Sequence, residues 1–124
     1  MYSNEKLKII FNNTFGHCHF CGDPLNFEKY GCKEIENIEG AWEADHIHQK
    51  AKGGRIDESN CLPACVRCNR LRWHRKGNEL REVILLGLIA KKEIKKNSII
   101  GKQILELKSK RLQENKKRRR KILN

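Results

Sequence analysis

The chain has 124 residues, room for one domain and an extension, and 34% of them are charged. With a mean hydropathy of −0.76, the side-chain core is small, and domains in this position recruit disulfides or a metal. No stretch approaches the ~20 apolar residues of a membrane span, and MYSNEKLKII lacks the apolar run of an export signal. The expectation is a cytoplasmic protein, at a nucleoid or in a nucleus, that is not secreted.

The net charge of +12 points to a polyanionic partner. Its distribution is uneven: residues 1–90 carry a net +1 and residues 91–124 a net +11. The six cysteines include two Cys-x-x-Cys pairs, which favour a metal over a disulfide framework inside a cell.

Ser3-Asn4-Glu5 ahead of Leu7, Ile10 and Phe11 predicts a capped amphipathic helix ending near Gly16. Cys18-x-x-Cys21-Gly22 follows, with the shape of a zinc knuckle. His17 and His19 flank the pair, but a four-cysteine site is complete without them. Residues 27–40 form a polar connection. Cys32 and Cys61 have no partner at x-x spacing and read as buried or free thiols. Residues 41–47 predict a strand carrying Asp45 and His46, and residues 49–59 a loop through Gly53-Gly54. Cys61-Leu62 predicts a return strand stopped by Pro63. A helix then runs from near Cys65 to Gly77, completing a strand, strand, helix unit. Residues 78–115 read as one long helix, or two broken near Asn97-Ser98, and the terminal KKRRRK as a frayed tail.

The two pairs, Cys18/Cys21 and Cys65/Cys68, can close on one Zn²⁺. Four protein ligands leave no open position for water, so that ion is structural. Asp45 and Asn69 are hard oxygen donors and suit Mg²⁺ or Mn²⁺. His46 beside them suits a general base that takes a proton from water. Cation, activated water and polyanion together make phosphodiester hydrolysis the natural reaction class.

WEADHI, a Gly-Gly loop, NCLPAC and then CxxCN, over roughly residues 15 to 75, resemble the HNH endonuclease superfamily, the ββα-metal nucleases. The similarity is to its zinc-bracketed branch, to which recombination endonuclease VII belongs. The resemblance implies a small α+β, zinc-stabilised ββα-metal (HNH, His-Me finger) domain over residues 1–77, N-terminal helix included. Residues 78–124 would be a basic helical extension outside it. The resemblance makes His46 the general base, makes Asp45 and Asn69 the holders of the catalytic divalent ion, and makes Asn60 the residue that fixes the loop and orients His46. The last motif position is Asn69 rather than His.

In a regular strand Asp45 and His46 point to opposite faces, so a shared site requires a twist or bend there. His48 shares the side of His46 and is an auxiliary candidate, whereas His74 is not expected to ligate. Contacts to DNA phosphate are expected from Arg70, Arg72, Lys116, Lys117, Arg118, Arg119 and Arg120. A non-catalytic zinc-stabilised nucleic-acid-binding module is the alternative. A third reading is an assembly factor whose C-terminal helix pairs with a partner or with a second copy.

Overall fold

The computed structural model describes residues 2–31, 39–47, 60–73 and 77–119. Helix α1 spans Asn4–Asn12, and the Ser3 side chain caps it by accepting from the Lys6 amide. It stops before Gly16 because the chain turns into positive φ at Phe15 and Gly16. Strands β1 (Trp42–His46) and β2 (Cys61–Cys65) pair antiparallel, in a register running from Trp42 opposite Cys65 to His46 opposite Cys61. Helix α2 (Val66–Trp73) leaves β2 directly and packs on the hairpin. This is the ββα unit of a small α+β domain.

Pro63 does not stop β2, which continues to Cys65 with Pro63 opposite Ala44. A strand of a two-stranded sheet always has an open edge, where a missing N–H costs no ladder bond. The Pro63 carbonyl is used at that edge, accepting from the His19 amide at 3.0 Å. The knuckle is thereby fastened to the sheet.

Leu7, Ile10, Trp42 and Cys61 form the buried core, with Tyr2, Phe11, Leu25, Phe27 and Ala44 packed against it. Trp42 is its centre, with the rings of Phe11 at 5.4 Å and Tyr30 at 4.8 Å. Its indole N–H donates to the Phe27 carbonyl, so burial leaves no polar atom unpaired. Cys61 is a buried thiol that is in no disulfide, whereas Cys32 lies outside the described residues.

Residues 77–118 form two helices, α3 (Gly77–Lys96) and α4 (Ile99–Arg118). Asn97 takes positive φ, and the Ser98 side chain caps α4 by accepting from the Gly101 amide. The chain doubles back here, and α3 packs against α4. Gly101 is the point of closest approach: a Cβ there would collide with the Glu93 carbonyl. In a single helix this glycine would only weaken the middle; in the observed turn it is required.

The frayed tail expected from residue 116 onward is ordered through Arg119, because α4 ends on the knuckle. Among the described residues no helix is long and apolar enough to cross a membrane.

Candidate metal centre and hydrolytic site

The knuckle is closed by two backbone bonds, Cys18 N–H to the Asp23 carbonyl and Gly22 N–H to the Cys18 carbonyl, both 2.9 Å. Gly22 sits at φ +81°, and a Cβ there would press on the Asn115 side chain. Cys65 ends β2 and Cys68 lies in the first turn of α2. The four sulfurs of Cys18, Cys21, Cys65 and Cys68 all lie within 4.8 Å of one another. A tetrahedral Zn–S₄ site with bonds of about 2.3 Å sets its sulfurs about 3.8 Å apart, and Cys21 Sγ stands 3.9 Å from Cys65 Sγ. The amides of Asp23 and Cys68 donate to the sulfurs of Cys21 and Cys65, as they would to thiolates.

Proton affinities in the cluster split. Hydrogen bonds from Cys21, and then from Cys65 and Cys68, push the Cys18 thiol far down. Cys18 in turn pushes Cys65 and Cys68 far up. The Cys18 and Cys21 thiols go down while Cys65 and Cys68 go up, so all four become thiolates together only when a cation joins them, and the donor set fits a metal that accepts four thiolates.

On the α2 side of β1, Asp45 is sealed from solvent and receives three donors. His19 Nε2 lies 2.7 Å and Arg72 Nη1 2.5 Å from Oδ2, and Trp73 Nε1 lies 2.9 Å from Oδ1. Burial pushes its carboxyl up; the hydrogen bonds from His19 and Trp73 and the charges of His19 and Arg72 outweigh it, so Asp45 stays below its usual range. One helical turn back, Asn69 Nδ2 donates to Glu43 Oε1 at 3.2 Å. This leaves Asn69 Oδ1 buried with no hydrogen-bond partner.

His46 lies on the other side of the strand, its Nε2 3.0 Å from the Tyr2 hydroxyl. β1 holds its register through His46, so Asp45 and His46 point to opposite faces, and a site that uses both requires the end of the strand to turn. Both faces are already engaged. Trp42 and His46 face α1 and the residues before it, and Glu43 and Asp45 face α2. Asn60 is buried beside the end of the hairpin, where its carbonyl accepts from the Ile47 amide at 2.8 Å. Thus Asp45 and Asn69 share the α2 face, His46 flanks them across the strand, and Asn60 closes the mouth of the loop. His48, His74 and Arg120 lie outside the described residues.

A model of the HNH endonuclease family matches residues 18–75, the segment that contains all of these groups. Over this segment the chain is similar to the HNH endonuclease family. Neither the curated proteins nor the solved structures compared with the chain yield a match.

The HNH domain is clamped by α4 from outside the matched segment. Asn115 Nδ2 donates to the Phe20 carbonyl at 2.8 Å, and Arg111 donates to the Cys21 carbonyl. Arg118 reaches the Gly22 carbonyl and Arg119 the His19 carbonyl, each at 3.4 Å. Two side chains expected at DNA phosphate are therefore engaged by the knuckle. Lys116 and Lys117 are exposed; Arg70 is half-buried.

Several residues that shape the HNH site carried no signal of their own in the sequence. His19 joins Asp45 rather than the cysteine cluster, Trp73 is a second donor to Asp45, Glu43 holds Asn69, and Tyr2 holds His46. Only the period of β1, which sets Glu43 two residues before Asp45 on one face, could have pointed to Glu43.

Proposed function

We propose that this protein is a metal-dependent DNA endonuclease that hydrolyses phosphodiester bonds. The HNH match over the segment holding Asp45, His46, Asn60 and Asn69 carries this reading. His46 takes a proton from water as the water oxygen bonds to phosphorus. The P–O3′ bond breaks, and the 3′ oxygen leaves with that electron pair and is protonated by solvent. The carbonyl of Asn60 fixes the end of the strand that carries His46.

Two metals belong to the proposal. Zn²⁺ in the Cys18, Cys21, Cys65, Cys68 cluster fastens the knuckle to α2 and takes no part in chemistry. For Mg²⁺ or Mn²⁺ the hard-oxygen donors fit: Asn69 Oδ1 is a buried acceptor without a partner, and Asp45 is an ionised carboxylate. Asp45 and Asn69 would hold such an ion, which would supply positive charge to the reacting phosphate. Arg72 stands in its way, because its guanidinium already answers the Asp45 charge.

DNA phosphate offers Arg72 a second anion, and Arg70, Lys116 and Lys117 lie ready for the same backbone. Arg72→Ala should therefore bind Mn²⁺ about tenfold more tightly without DNA, the worth of one charge-assisted hydrogen bond. A Mn²⁺ titration followed by electron paramagnetic resonance checks this; equal or weaker binding by the variant removes Arg72 as a competitor.

The second reading, a zinc-stabilised nucleic-acid-binding module without catalysis, is favoured by the three donors that tie Asp45 into the fold. A cleavage panel of linear, branched and single-stranded DNA with Mg²⁺ or Mn²⁺, with His46→Ala as control, separates the two. A wild-type protein no more active than His46→Ala on every substrate ends the enzyme reading.

The α3 helix adds a proposal about assembly. Val83, Ile84, Leu85, Leu86, Leu88 and Ile89 are each 47–59% exposed although α4 lies alongside. A helix apolar on this much of its circumference needs more cover than one neighbour gives. Pairing of two copies through α3 supplies it, and light scattering on the eluting protein should return twice the monomer mass of 14.6 kDa. A monomer at micromolar concentration would remove this pairing.

A further inference from the structure

The side chain of Asn69 has two ends of nearly equal size, an oxygen that accepts and an NH₂ that donates. Only the oxygen can serve a cation, so the use of Asn69 as a ligand depends on which way round its amide stands. Position on α2 does not decide this, because a half turn of the amide exchanges the two ends without moving the helix.

Glu43 decides it. It lies two residues before Asp45 on the α2 face of β1. Its partner in the register is Ala64, a small buried residue that leaves the carboxylate room to reach α2. Glu43 Oε1 lies 3.2 Å from Asn69 Nδ2. A carboxylate accepts and has no hydrogen to give, so the amide turns its NH₂ to Glu43 and its oxygen away. That oxygen, Oδ1, is buried and has no hydrogen-bond partner. The reversed amide would set oxygen against oxygen. Folded chains rarely bury an acceptor unpaired, and a cation at Oδ1 removes the anomaly.

We propose that Glu43 is a positioning residue that reserves the Asn69 oxygen for the divalent ion. This rests on the reading of Asp45 and Asn69 as the holders of that ion. Glu43 acts through Asn69, by fixing the orientation of the amide, and is not itself a ligand. The two carboxylates of this face thus have separate tasks. Asp45 is met by His19, Arg72 and Trp73, and Glu43 holds the amide.

Mn²⁺ titrations of the zinc-loaded full chain without DNA, followed by electron paramagnetic resonance, read the effect independently of cleavage. Glu43→Ala removes the acceptor and lets the amide turn. It should weaken Mn²⁺ binding about ten- to hundredfold, the range for a group that orients a metal ligand. Glu43→Gln keeps an oxygen that can accept from Nδ2 and should recover most of that loss. In proton–nitrogen spectra without Mn²⁺, one Asn69 side-chain amide proton should show the downfield shift of a hydrogen bond in the wild type and in Glu43→Gln. That shift should be lost in Glu43→Ala. Binding by Glu43→Ala equal to the wild type overturns the proposal. Glu43→Gln as weak as Glu43→Ala also overturns it, by making Glu43 a ligand through its charge. A wild type that binds no Mn²⁺ removes the ion from Asp45 and Asn69, and the proposal falls with that reading. Zinc content and melting temperature, measured on each variant, report whether its fold is kept.

Discussion

On the proposed nuclease reading, a His46→Ala protein should keep its fold and its zinc content and lose cleavage by about two to four orders of magnitude, the contribution of a positioned general base. The fold survives because His46 is only half-buried and its hydroxyl contact, to Tyr2, is worth about 1 kcal/mol. The chemistry does not, because the three other groups nearest the strand end are unsuited to the task. Asp45 is held ionised among three donors, Asn60 and Asn69 do not titrate, and Tyr2 is a phenol with a proton to hold at neutral pH. Plasmid nicking at saturating Mg²⁺, compared between the two proteins at matched zinc content, measures the loss. Equal rates would mean that any cleavage comes from a contaminant or from another residue.

Stripping the metal from the cysteine cluster should unfold the HNH domain. Apparent binding energies of structural zinc sites are about 10–16 kcal/mol, as large as the whole stability of a typical domain. The core gives little to set against that loss, since beyond Leu7, Ile10, Trp42, Leu62 and Val66 its buried apolar residues are alanines and cysteines. The cluster also joins three segments that otherwise meet over small contacts: the knuckle, the end of β2 and the first turn of α2. Without it Asn69 has no fixed place, because the residue next to Cys68 is set by Cys68. The consequence extends to α4, whose Arg111 and Asn115 grip knuckle carbonyls. Chelation should therefore expose Trp42 to solvent, read by its fluorescence, and cut helical circular dichroism. An unchanged spectrum in the metal-free protein would refute the zinc assignment.

Local pattern carried much of this fold. Ser3 as a cap, the apolar spacing of α1, the strand around Asp45 and the two Cys-x-x-Cys pairs are all visible within a few residues of chain, and each is present. The pairs needed only their spacing and chemistry to be joined, because four thiols in one small domain have few other stable arrangements. The break at Asn97-Ser98 was visible as one of two possibilities. Choosing between them depended on the close packing of Gly101 against Glu93, which exists only once the chain has turned back.

The surroundings of the candidate site were a different matter. The donors to Asp45 come from His19, Arg72 and Trp73, 26 to 28 residues away along the chain. The clamp on the knuckle comes from residues 90 to 100 positions further on. No periodicity reports contacts of that range. A basic run therefore reads as a free tail even where Arg118 and Arg119 are held by backbone carbonyls.

By itself, the sequence determined the ββα order, the four cysteines and the neighbours Asp45, His46 and Asn69, because ligand chemistry and strand or helix period are local properties. Tertiary structure alone decided what those residues touch. It put Arg72 on Asp45, Tyr2 on His46 and α4 on the knuckle, since the donors that satisfy a buried carboxylate, ring nitrogen or carbonyl are brought in by packing rather than by position in the chain.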